Sequence, residues 1–110
     1  MAISTHILDT TRGRPASGVL VTLEHRAGER WETLGEGTTD ADGRVKALQA
    51  HSPEPGTYRI TFQVAPYFEL LGVAAFYPEV TITFLVAASG QSYHVPLLLN
   101  PFGFSTYRGS

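Results

Sequence analysis

"GTYRITFQVAPYFELLGVAAFYPEVTITFLVA", residues 56–87, carries two periodicities in one run. At its start Tyr58, Ile60, Phe62 and Val64 alternate with Thr57, Arg59, Thr61 and Gln63, and near its end Val80, Ile82, Phe84 and Val86 repeat the pattern. Apolar residues at a period of two line one side of a strand, so both segments are expected to be strands with one face in a core. Between them the apolar residues at 67, 68, 70, 71 and 74 are spaced for a helix. Pro66 suits a first helical turn and Gly72 a helix end, which predicts one short helix between two strands.

The same reading extends outward in both directions. "GVLVTLEHR" (18–26) alternates, with Val19, Val21 and Leu23 on one side, and "AGER" (27–30) supplies the glycine of a hairpin loop. "WETLGEGTT" (31–39) comes next as a strand weakened by glycine, either bulged or at an edge, and "DADGR" (40–44) as a turn in which Gly43 takes positive φ. "QSYHVPLLL" (91–99) is a further strand stopped by Asn100-Pro101; "ISTHIL" (3–8) and part of "FGFSTYRGS" (102–110) complete the set. Seven or eight short strands with one helix predict an all-β protein, a β-sandwich of Greek-key type.

Bulk properties narrow the function classes. A chain of 110 residues, 43% hydrophobic and 16% charged, is expected to form one domain over residues 1–110 with its own core. Net charge is −2 and there is no basic cluster, which argues against nucleic acid and anionic membranes as partners. Of the basic residues only Lys46 is a lysine, an oddity that decides nothing at this level. Cysteine is absent, so no disulfide, thiolate nucleophile or cysteine metal site exists. "MAISTHILDT" lacks the basic and apolar regions of a signal peptide, and no stretch approaches the roughly 18 apolar residues of a membrane span. A cytoplasmic location is the expectation.

Polar residues that interrupt apolar patterns point to function, because a buried polar group without a partner costs free energy. With Tyr93, Val95, Leu97 and Leu99 on the core side, His94 shares the other face with Pro96 and Leu98. That face is too apolar to be solvated surface, and another subunit is its expected cover. His6 lies likewise with Ser4 and Leu8. Each histidine alone also reads as a hydrogen-bonded structural residue, and His25 and His51 are read that way. A zinc site lacks HxH or HExxH spacing, and neither a GxSxG elbow nor a glycine-rich phosphate loop is present. Arg44 and Arg108, taken singly, read as solvated arginines.

Taken together, "STHILDTTRGRPA" (4–16), "DGR" (42–44), "PEVTITF" (78–84), "YHVPLLL" (93–99) and "STYRGS" (105–110) resemble the 5-hydroxyisourate hydrolases, the enzymatic branch of the transthyretin-like proteins. The resemblance runs the length of the chain, and the YRGS tetrapeptide is its most specific block. It implies a sandwich of two four-stranded sheets with a short helix, assembled as a homotetramer, a dimer of dimers with active sites at the dimer–dimer interface. The implied reaction is hydrolysis of 5-hydroxyisourate to 2-oxo-4-hydroxy-4-carboxy-5-ureidoimidazoline in urate breakdown, with no cofactor and no metal.

Carried over by motif, the resemblance makes His6, Arg44 and His94 catalytic, and places His6, Arg44, Tyr107, Arg108 and Ser110 on the substrate. Two positions depart from the family pattern: Asn100, where serine is usual, and Phe104, where tyrosine is common. A hormone carrier like transthyretin is the main alternative, but that branch lacks the YRGS ending and the His/Arg/His set. An adhesive β-sandwich module is the other, with both histidines inert.

Overall fold

The computed structural model describes residues 2–110. In chain order the elements are β1 (Ile3–Asp9), β2 (Arg14–Pro15), β3 (Leu20–Ala27), β4 (Arg30–Thr38), β5 (Arg44–Val45), β6 (Gly56–Gln63), α1 (Ala65–Leu70), β7 (Val80–Val86), β8 (Tyr93–Asn100) and β9 (Gly103–Thr106). One sheet runs β4-β3-β6-β7; the other runs β2-β1-β8-β9, with β5 also paired to β1. The alternating apolar sets face each other between the sheets: Ile3, Ile7, Val95, Leu97 and Leu99 from one, Val21, Leu23, Ile60, Phe62 and Val80 from the other. Burial of these side chains is the main force holding the sandwich together.

The second sheet has five strands where four are expected, and the reason is a divided edge. β2 pairs with Leu8 and Asp9, β5 with Thr5 and His6, both antiparallel along the edge of β1 opposite β8. They abut at Ile7, whose N–H donates to the Gly43 carbonyl at 2.8 Å and whose carbonyl accepts from the Ala16 N–H at 3.0 Å. One strand position is therefore filled by two short pieces. Gly43 makes the junction possible: its φ is 74°, and a Cβ there would lie 2.6 Å from the Ile7 carbonyl oxygen. The expected Asp/Gly turn precedes it, with Asp40 Oδ1 accepting from the N–H groups of Asp42 and Arg44.

β4 is both bulged and at an edge. Its register passes from Leu23↔Gly35 to Glu24↔Thr33, leaving Leu34 as the extra residue. The helix forms as expected, with Pro66 in its first turn and Gly72, at φ 67°, just past its end; of its residues only Phe68 is buried, and Leu70 is 90% exposed. Six residues are too few to present a full apolar stripe. No helix among the described residues is long and apolar enough to cross a membrane.

A polar bond docks the helix. The Tyr67 hydroxyl donates to Asp9 Oδ2 at 2.7 Å, while Asp9 Oδ1 accepts from the N–H groups of Thr11 and Arg12. Asp9 is 1% exposed, so its carboxylate has these donors in place of water. Burial, followed by the bond to Asp9, raises the pKa of Tyr67, and the phenol keeps its proton. Tyr67→Phe is expected to cost about 2 kcal/mol, the scale of a hydrogen bond to a charged group. A lower urea midpoint at unchanged slope, at one protein concentration, is the measurement.

Candidate active site

The outer face of the β2-β1-β8-β9 sheet gathers the displaced polar residues. β1 turns Ser4, His6 and Leu8 outward as it buries Ile3, Thr5 and Ile7, and β8 turns His94, Pro96 and Leu98 the same way. The two strands run parallel in the register Ser4↔His94 and His6↔Pro96. On the other side of β1, β5 sets Arg44 against His6. Beyond β9 the pairing Leu97↔Thr106 continues without a shift to a bridge His94↔Gly109, which brings Tyr107 level with Pro96.

Two cross-strand rows result. One is Arg44, His6, Pro96 and Tyr107; the next is Ser4, His94 and Gly109. Rows two residues apart are separated by about 7 Å and neighbouring strands by about 4.8 Å. His6 and His94 are thus diagonal neighbours, at a spacing long side chains bridge.

His94 is the most constrained of the set. Its Nδ1 and Ser4 Oγ lie 2.9 Å apart, and the Gly109 N–H donates to its carbonyl at 2.8 Å. Gly109 passes so close that a Cβ on it would sit 2.6 Å from His94 Cδ2. Burial lowers the pKa of His94 from the ordinary imidazole value, and the positive charges of Arg44 and His6 lower it further. The neutral ring is thereby favoured. Beside it is a cleft of about 130 Å³ lined by Ser4, Thr5, Arg44, Val45, Lys46 and His94.

Arrangement and motif agree with a comparison by sequence. A model of the HIUase/Transthyretin family matches residues 3–109. The chain belongs to this family. The 5-hydroxyisourate hydrolase of Salmonella dublin is 46% identical to it over 109 residues, 98% of this chain and 80% of that one. The solved structure of Klebsiella pneumoniae 5-hydroxyisourate hydrolase matches at 36% identity and a TM-score of 0.88, covering 100% of both chains. Sea bream transthyretin in complex with thyroxine matches at 26% identity and a TM-score of 0.92, covering 99% and 95%. Backbone similarity alone therefore does not sort the members of the HIUase/transthyretin family by function; the side chains must.

Relative to the family motifs, His6, Arg44, His94 and Tyr107 share one face, and Arg108 does not. Its guanidinium lies 4.7 Å from the centre of the Tyr93 ring and donates to Gln91 Oε1 at 3.3 Å, on the core side of β8. Alternation explains the split, since Tyr107 and Arg108 are consecutive in an extended tail. Ser110 is exposed beyond Gly109. Two departures from the HIUase/transthyretin pattern lie away from the rows: Asn100 Oδ1 caps the β8–β9 turn by accepting from the Phe102 N–H, and Phe104 packs edge-on against Tyr77.

Reading by residue type missed Ser4 and Lys46. Ser4 carried a signal, its place on the His6 face; Lys46 had one only in its distance of two from Arg44 along an extended segment. A larger cleft of about 370 Å³ lies on the other sheet, lined in part by His25, His51, Glu54 and Tyr58. His25 packs on Tyr58 at 5.5 Å, and its buried Nδ1 has no hydrogen-bond partner among the described residues. None of the residues named for the family motifs borders that cleft. Among the described residues no three His, Asp or Glu side chains are grouped to hold a metal ion.

Proposed function

We propose that the chain hydrolyses 5-hydroxyisourate to 2-oxo-4-hydroxy-4-carboxy-5-ureidoimidazoline, a step in urate breakdown. The observation that carries this reading is the pair of rows itself, in which His94, its pKa lowered, and Arg44 line one cleft while His6 pairs with Arg44 on the adjoining strand. The name of the Salmonella dublin relative supports the substrate.

In this reading His94 accepts a proton from water as the water oxygen bonds to the acyl carbon of the ring. The lowered pKa favours His94 for this role, because a base must be unprotonated before it acts. Arg44 binds the oxyanion of the tetrahedral intermediate through its planar fork of donors. The intermediate collapses by breaking the carbon–nitrogen bond, and the departing ring nitrogen takes a proton from an imidazolium, a task His6 shares. Water is added and no electrons are exchanged, so imidazole and guanidinium groups supply what the reaction needs without a cofactor. Tyr107 flanks the substrate at the end of the first row, with Ser110 beyond it, and Arg108 holds the tail through Tyr93 and Gln91.

Leu8 and Leu98, half-buried on the same face, support a homotetramer in which a second dimer covers it. Light scattering is then expected to give four times the mass of the chain.

The direct test is ultraviolet decay of 5-hydroxyisourate generated in place by urate oxidase. Faster decay in the presence of the protein supports the assignment; no acceleration by the folded protein overturns it and favours ligand carriage in the same face. Arg44→Lys probes the clamp. Because lysine keeps the charge but loses the fork, kcat/KM is expected to fall at least about tenfold. Wild-type kcat and KM in that variant would remove the bidentate role.

A further inference from the structure

We propose that Ser4 is a positioning residue for His94, its hydroxyl holding the imidazole by Nδ1 so that Nε2 is the nitrogen presented to water and substrate. The inference rests on the reading of His94 as the base and adds the group that aims it.

Three observations meet at this ring. Ser4 is the direct cross-strand neighbour of His94, with Oγ 2.9 Å from Nδ1. On the opposite side Gly109 crowds Cδ2, and its N–H ties the tail to the backbone of the same residue. The imidazole is held at one nitrogen from β1 and hemmed at one carbon from the tail. Ser4 is itself half-buried in the pairing of β1 with β8, so its oxygen is set by backbone register as well as by a side-chain rotamer.

A hydroxyl suits the position better than a carboxylate does. When the Nδ1–H donates to Ser4 Oγ, Nε2 keeps its lone pair and accepts a proton from water. The resulting imidazolium still donates to the same oxygen, so the ring keeps its aim through the cycle. An aspartate would do this too, but its charge would stabilise the imidazolium and raise the pKa. The charged and titratable groups around the ring are His6 on β1, Arg44 and Lys46 on and after β5, and Tyr107 and Arg108 on the tail. Of these, Arg44 and His6 are the two whose charge lowers its pKa. A neutral partner at Nδ1 leaves burial, and after it the charges of Arg44 and His6, to hold the pKa of His94 down.

The test uses the full chain with Ser4→Ala, Ser4→Thr and Ser4→Asp. Ser4→Ala is expected to lower kcat about tenfold with little change in KM, and Ser4→Thr, which keeps the hydroxyl, to recover most of it. Ser4→Asp is expected to raise the pKa of His94, monitored by nuclear magnetic resonance of its ring without substrate, and to move the acid limb of kcat/KM upward by the same amount. If Ser4→Ala matches wild type across pH, or if the aspartate leaves the His94 titration unmoved, Ser4 does not position the ring. The resonance titration needs no turnover. It decides the Ser4 bond even where the wild type fails to hydrolyse 5-hydroxyisourate, an outcome that would fall on the function and not on this bond.

Discussion

His94→Ala is expected to lower kcat for 5-hydroxyisourate by a factor of about 10² to 10⁴, the range a positioned general base contributes. The side chain sits on the outer face of its sheet and not between the sheets, so the variant should fold and pair its strands as before. KM should change little, since Arg44 still lines the cleft and Tyr107 a neighbouring one. The pH profile gives the same residue a second signature. Its pKa is lowered in the folded chain, so the acid limb of kcat/KM should lie below the ordinary histidine value of about 6.5 and should vanish in the variant. Stability obeys the same sign. Between the folded and unfolded pKa values the unfolded chain binds the extra proton, so the contribution from keeping His94 neutral is complete above about pH 6.5 and is lost as pH falls through the folded value. An alanine variant that keeps the wild-type rate and acid limb would assign the base elsewhere.

The second large effect concerns the tail. Gly109→Ala is expected to lower kcat by about 10² while leaving the unfolding midpoint within a few degrees of wild type. An added Cβ would lie 2.6 Å from His94 Cδ2 and 3.2 Å from Pro96 Cγ, so the ring or the tail must shift. Misplacing a reacting group by about 1 Å can cost on the order of 10² in rate. The core is untouched, because residue 109 lies outside the named strands and joins the sheet by a single bridge. Deleting 107–110 should go further, removing Tyr107 together with the bond from Gly109 to His94. Undiminished turnover in that truncation would make the tail a bystander, and a midpoint fall of more than about 10 °C for Gly109→Ala would make it structural.

The strands were legible because their side chains alternate: Tyr58, Ile60 and Phe62 are all buried, as are Tyr93, Val95, Leu97 and Leu99. The outward turn of His6 and His94 came from the same rule. The partners of those histidines were not legible. Parallel pairing of β1 with β8 joins segments about ninety residues apart, and nothing local in either one specifies the other. The two-residue strands β2 and β5 were hidden for a different reason, since no periodicity can be read in two residues. Arg44 was visible only as part of a turn motif until β5 set it against His6. The helix was legible from Pro66 in its first turn and Gly72 just past its end, but the bond from Tyr67 to Asp9 and the exposure of Leu70 were not.

The parallel union of β1 with β8 also sets a timetable. The strands of the β4-β3-β6-β7 sheet all lie between residues 20 and 86 and join neighbours by antiparallel pairing. They can assemble on a growing chain while the ribosome still holds β8 and the tail. β1 must wait for β8, which follows it by about ninety residues, and until then Ile3 and Ile7 lack their eventual cover. Long sequence separation makes such a closure slow, and exposed strand edges invite wrong partners meanwhile. A chain built this way closes its second sheet in one late step, when residues 93–100 emerge and find β1.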